Sequence, residues 1–77
     1  MITDQQIDDA ILTHAGVRTH KVAWIIACTS ETLGPKYSDE FHERVAGRIE
    51  WLCENGKLEG LGNLKRWRHS EVRLPPP

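Results

Sequence analysis

From Phe41 to Arg73 the chain reads as one long amphipathic helix, an Asn55-Gly56 stop, and two short strands joined by a basic turn; no other stretch restricts the possible folds as much. Stepping about 100° per residue from Phe41, the side chains of Phe41, Val45, Ile49, Leu52 and Cys53 fall within a sector of roughly 120°, the narrow buried stripe of a helix packed on one side. Ser38, followed by Asp39 and Glu40, supplies an N-cap and carboxylates suited to the positive end of the helix dipole. Asn55-Gly56 supplies a left-handed cap at the other end. Beyond Lys57 the period shortens. Leu58 and Leu61 flank Glu59 and Gly60, while Ser70, Val72 and Leu74 alternate with Glu71 and Arg73, as in a hairpin with one wet face. Gly62, Asn63 and Lys65 fall in the connecting turn, and Pro75 to Pro77 end the sheet because proline cannot donate to a ladder.

Two further helices are expected upstream. Thr3 and Gln6 match a capping box, in which the hydroxyl accepts from a free helix N–H and the amide side chain reaches back. A helix from Asp4 to Ala15 then lines up Ile7, Ala10, Ile11 and His14 on one side and turns Asp8 and Asp9 toward water, with Gly16 as its end. The next helix is expected to begin near Thr19 or His20 and run to Thr32, stopped by Leu33-Gly34-Pro35. Val22, Ile25, Ile26, Thr29 and Leu33 share one side of it, yet Ala23, Trp24, Ala27 and Cys28 leave the opposite side apolar too. Such a helix is expected to lie sandwiched between neighbours. The same residues lack the two-residue alternation of a strand.

At 77 residues the chain has room for one domain, residues 1–77, near the lower limit at which a single core folds without staples. With three Trp, one Tyr and one Phe, that core must rest on Ile, Leu and Val. No apolar run approaches the roughly 20 residues needed to cross a bilayer, and the N-terminus lacks the basic flank and apolar centre of a secretory signal, so a cytoplasmic location is expected. Cys28 and Cys53 fall within helices, where a lone cysteine is ordinarily a small, reduced, buried side chain. The two cysteines and four histidines show no metal-ligand spacing, and no cofactor, metal or small-molecule substrate is indicated. Catalysis lacks a signature as well. Asp8 and Asp9 point in different directions on a helix, no serine stands at a telling offset from a histidine, and Gly60-Leu61-Gly62 lies in a hairpin rather than before a helix.

The net charge of −1 conceals a blocky distribution. The first 15 residues carry only acids (Asp4, Asp8, Asp9), and the third helix carries Asp39, Glu40, Glu43, Glu50 and Glu54 against Arg44 and Arg48. The C-terminal segment is basic, with Lys57, Lys65, Arg66, Arg68 and Arg73 against Glu59 and Glu71. Opposite Phe41 and Val45, the third helix presents Glu43, Gly47, Glu50 and Glu54. Brought into a DNA groove, each carboxylate would cost on the order of 1 kcal/mol beside the phosphates. Arg44 and Arg48 lie on the adjoining flank; a bidentate arginine to guanine would offset part of that repulsion, whereas pairing with neighbouring acids, such as Glu40 with Arg44, would occupy them structurally. Trp51, about 280° around the helix from Phe41, is either covered by the N-terminal helix or the hairpin, or forms an exposed Trp-Arg patch of the kind enriched in protein interfaces. Gly47, one turn earlier, permits close approach of another backbone. Lys65-Arg66-Trp67-Arg68-His69 interleaves cations with an aromatic, either to straddle a phosphate backbone or as a solvated turn whose Trp folds back over the core. Glu59 and Arg73 suit a cross-strand pair.

Three helices followed by a C-terminal two-stranded hairpin make an α+β chain that resembles the winged helix-turn-helix superfamily along nearly its whole length. More narrowly, Ile2-Thr3-Asp4-Gln5-Gln6-Ile7-Asp8, the segments Arg48-Ile49-Glu50-Trp51-Leu52 and Gly56-Lys57-Leu58-Glu59, and above all Trp67-Arg68-His69-Ser70-Glu71-Val72-Arg73-Leu74 are similar to a small bacterial family of unknown function. That resemblance implies the fold and a bacterial origin, and it brings no activity. The expected function is a non-enzymatic regulatory or protein-interaction module that engages a protein partner, or a second copy, through Arg44, Gly47, Arg48 and Trp51. The alternative is a DNA-binding transcriptional regulator led by Lys65, Arg66, Trp67 and Arg68.

Overall fold

The computed structural model describes residues 2–34, 38–66 and 69–76. Helix α1 spans Asp4–His14 and starts with the expected capping box: the Gln6 amide donates to Thr3 Oγ1 at 3.2 Å and the Thr3 amide to Gln6 Oε1 at 2.8 Å. Ile7 and Ile11 are fully buried on its inner side. Helix α3, Asp39–Glu54, is capped by Ser38, whose hydroxyl accepts from the Phe41 amide at 3.1 Å. Its buried stripe is Phe41, Val45, Ile49 and Leu52. The helix stops where Gly56 adopts φ +73°, a conformation that side chains with a Cβ resist, and the Lys57 amide donates back to the Leu52 carbonyl at 2.8 Å.

The segment before the second helix departs from expectation. His20 and Lys21 form a short strand, β1, and helix α2 begins only at Val22 and runs to Leu33. With β2 (Glu59–Leu61) and β3 (Glu71–Arg73) it builds a three-stranded antiparallel sheet in the order β1-β3-β2, in place of a two-stranded hairpin. His20 faces Val72 and Lys21 faces Glu71, and the Val22 amide donates to the Ser70 carbonyl at 3.0 Å. The reason is tertiary. A two-residue strand has no periodicity of its own, and it exists because β3 offers a free ladder edge from the far end of the chain. The Leu74 amide, bonded to the Gly16 carbonyl at 2.8 Å, extends this closure past the end of β3.

Along β3 the alternation holds, with Ser70 and Val72 buried and Glu71 and Arg73 half-exposed, whereas Leu61 in β2 is exposed. Glu59 and Arg73 pair in register, with Arg73 Nη2 donating to Glu59 Oε1 at 2.8 Å. One cluster joins the layers, with Ile7 and Ile11 of α1, Ile25 of α2, Val45 and Ile49 of α3, and Val72 of β3 packed together. Full burial of each such aliphatic side chain is worth about 1.5–3 kcal/mol. Two expectations on the helices fail. Asp8 is buried rather than turned to water, and α2 is not sandwiched, since Trp24 and Ala27 on its outer side are exposed. Both α1 and α3 pack on the inner side of α2, while on the outer side Trp24 meets only the rings of His14 and His20 among the described aromatic residues.

Candidate protein interface

The flank of α3 that carries Arg44, Arg48 and Trp51 faces α1. Arg48 makes a two-pronged contact with Asp8, Nε to Oδ1 at 2.8 Å and Nη2 to Oδ2 at 2.7 Å, and its Nη1 lies 3.7 Å from Asp4 Oδ2. Arg44 Nη2 donates to Asp4 Oδ1 at 2.9 Å and to the Ile2 carbonyl at 3.0 Å. The arginines are thus paired inside the molecule, but across to α1 rather than along α3 with Glu40. Asp4 and Asp8 stand four residues apart on one helix, as do Arg44 and Arg48 on the other, so the spacings match one for one. That equal spacing was the sequence signal for the pairing. Partial burial decides the competition, because Asp8 at 11% side-chain exposure gives Arg48 a charge-assisted, bidentate bond that solvent contests weakly. Hydrogen bonding to Asp8 raises the Arg48 pKa further above its ordinary value, against some opposition from desolvation, and Arg48 stays cationic throughout the working pH range.

Trp51 is 42% exposed, and the Arg48 guanidinium carbon sits 4.4 Å from the centre of its ring. The two alternatives for this side chain meet here: one face of the indole is covered by a cation, and a little under half of the residue stays accessible. Next to it lies a cleft of about 240 Å³ lined by Gln5, Asp8, Leu12, Trp51, Leu52 and Lys57. Gly47 is exposed, and a Cβ added there would meet no atom of the described residues within 4 Å. The fold itself therefore makes no demand for glycine at this mid-helix position.

On the outward side of α3, Glu43 and Glu54 are exposed and Glu50 is half-buried. None of the three is in an ion pair among the described residues. Between this face and the turn that follows β2 runs a cleft of about 250 Å³ lined by Glu43, Ala46, Gly47, Glu50, Leu64 and Lys65. Asn63 shapes that turn, accepting from the Lys65 amide through its side chain at 3.0 Å and from the Arg66 amide through its carbonyl at 2.9 Å. Lys65 and Arg66 are exposed. Trp67 and Arg68, the other half of the basic signal, lie outside the described residues.

Both cysteines are free and half-buried, and burial raises their thiol pKa values above the ordinary 9.0, with Glu31 adding to the effect at Cys28 and Glu50 and Glu54 at Cys53. Among the described residues no three His, Cys, Asp or Glu side chains converge to hold a metal ion, and no helix is long and apolar enough to cross a membrane. Comparison with family models, curated proteins and solved structures gives no match for this chain.

Proposed function

We propose that this chain is a winged-helix-like, non-enzymatic interaction module that engages a protein partner through the α3 flank of Arg44, Gly47, Arg48 and Trp51. The succession of one helix, a short strand, two helices and two strands, with β1 paired to β3, supports the winged-helix part of this reading. One observation carries the functional part. Asp8 holds Arg48 by two hydrogen bonds and Arg48 holds the ring of Trp51, so a half-exposed aromatic is kept in a fixed pose beside a cleft of mixed apolar and polar lining. A pre-set Trp loses little freedom on binding, and Trp and Arg are the residues that most often dominate interface energies. Gly47, one turn away, leaves room for a partner backbone.

The rival, a DNA-binding regulator, retains Lys65 and Arg66 in the turn, but both helix arginines are occupied by α1 carboxylates, while the outward acids of α3 are in no ion pair among the described residues. Trp51→Ala is expected to abolish capture of the partner with the far-UV circular dichroism unchanged; a variant that unfolds instead would place Trp51 in the core. For DNA, titration against random duplex at low and rising salt separates the readings. No binding at low salt is expected, whereas tight binding whose salt slope falls in the Lys65→Ala, Arg66→Ala variant would establish the rival.

A further inference from the structure

We infer that the outer side of α2 is the seam of a two-fold homodimer in which two copies of this helix pack antiparallel, an interface separate from the Trp51 flank. Between Lys21 and Glu31 the helix carries no charged residue at all. On its outer side Trp24 is 47% exposed and Ala27 is exposed, flanked by the half-buried Ala23 and Cys28. A helix side that faces water ordinarily carries charge, and an apolar one is a surface awaiting a neighbour.

The shape of this side suits a copy of itself. Trp24 stands out from the helix, held by His20 stacked on its ring at 4.7 Å and by His14 edge-on at 6.3 Å. His14 is itself fixed, its Nε2 3.0 Å from Thr32 Oγ1. Ala23 and Ala27, one turn apart, are the small side chains beside that projection. With the two-fold axis between Trp24 and Ala27, each indole covers the second copy's Ala27 and Cys28, a ridge laid into a groove.

Charge selects the direction and the occupant. Lys21 stands at the N-terminal end of the seam and Glu31 near its C-terminal end, both exposed and neither in an ion pair among the described residues. Glu71 faces Lys21 across the sheet, though not within ion-pair distance. The helix has no acid in its first turn, no base in its last, and no side-chain cap at Lys21, so its own side chains compensate neither end of its dipole. A parallel neighbour would set like ends together. An antiparallel copy sets Lys21 and the positive helix end against Glu31 and the negative end, twice over, across a span of about 15 Å. A strongly acidic or basic partner would gain at one end and lose at the other.

The seam is about 18 Å long, which is less than the roughly 800 Å² per partner of tight complexes requires, so the dimer is expected to be weak. Sedimentation equilibrium of the full chain from roughly 10 µM to 1 mM covers the corresponding affinity range. Concentration-dependent dimerisation is expected, lost in Trp24→Ser with an unchanged melting temperature. Lys21→Glu and Glu31→Lys are each expected to weaken the dimer roughly tenfold. Their double variant should restore it, and an equimolar mixture of the two single variants should form heterodimers, because both end contacts then join opposite charges. A chain that stays monomeric at the top of that range overturns the inference. So does a dimer indifferent to Trp24→Ser and to the charge reversals, or one lost in Trp51→Ala instead, which would move self-association to the α3 flank and leave the seam empty.

Discussion

Two faces of α3 carry charge, and they treat it differently. Toward α1, Arg44 and Arg48 meet Asp4 and Asp8 at hydrogen-bond distance, and Asp8 is nearly inaccessible to water. Away from the core, Glu43, Glu50 and Glu54 meet no cation among the described residues. The inner face therefore joins helices and fixes the pose of Trp51, while the outer face sets the potential that an approaching molecule feels. Counting charges on the helix merges these roles, whereas the neighbour each side chain finds separates them.

The largest expected effect tests the inner face. Asp8→Ala strands the partly buried Arg48 guanidinium and should destabilise the fold by about 2–4 kcal/mol in urea denaturation, against a change within about 0.5 kcal/mol for Glu43→Ala on the outer face. Equal effects would erase the distinction between the faces. Arg44→Ala should fall between them, near 1 kcal/mol or less, because its pair with Asp4 is largely solvated.

An intermediate effect, of opposite sign, is expected at Gly47. No described residue opposes a Cβ there, so Gly47→Ala should raise stability by about 0.5–1 kcal/mol through helix propensity alone. A fall in partner capture in the same stabilised variant would identify close backbone approach as the reason glycine suits that position.

The smallest effect concerns the cysteine beside the outer acids. Burial holds the Cys53 thiol protonated, so in the unfolded chain it ionises first, at the ordinary value of 9.0. Its contribution to stability is complete below that pH and declines as pH rises through the folded-state value. Thermal melts between pH 8 and 10 should show a steeper loss for the parent than for Cys53→Ala, and identical slopes would mean that the thiol is freely solvated.

Much of the fold was legible locally. The capping box at Thr3, the Ser38 cap, the stripe from Phe41 to Leu52 and the Glu59–Arg73 pair depend on residues a few positions apart or joined by one turn. Three features were not legible in that way. The strand His20–Lys21 has no pattern of its own and depends on β3. The burial of Asp8 depends on a guanidinium forty residues away. The open side of α2 reads as core by composition and is exposed because its packing neighbours lie on the other side. In the proposed interface, Trp51 and Gly47 stood out from helical spacing, while the anchoring of Arg44 and Arg48 to α1 followed from matched spacings on two helices that sequence periodicity treats one at a time.

Side-chain periodicity and capping chemistry act within a turn or two of backbone, so the amino-acid order alone determined three helices, their inner stripes and the hairpin at the end. Which charges neutralise each other between α1 and α3, which apolar side stays uncovered, and that a third strand exists were settled only when distant segments met. Coulomb and packing energies depend on separation in space, and chain order constrains that separation loosely.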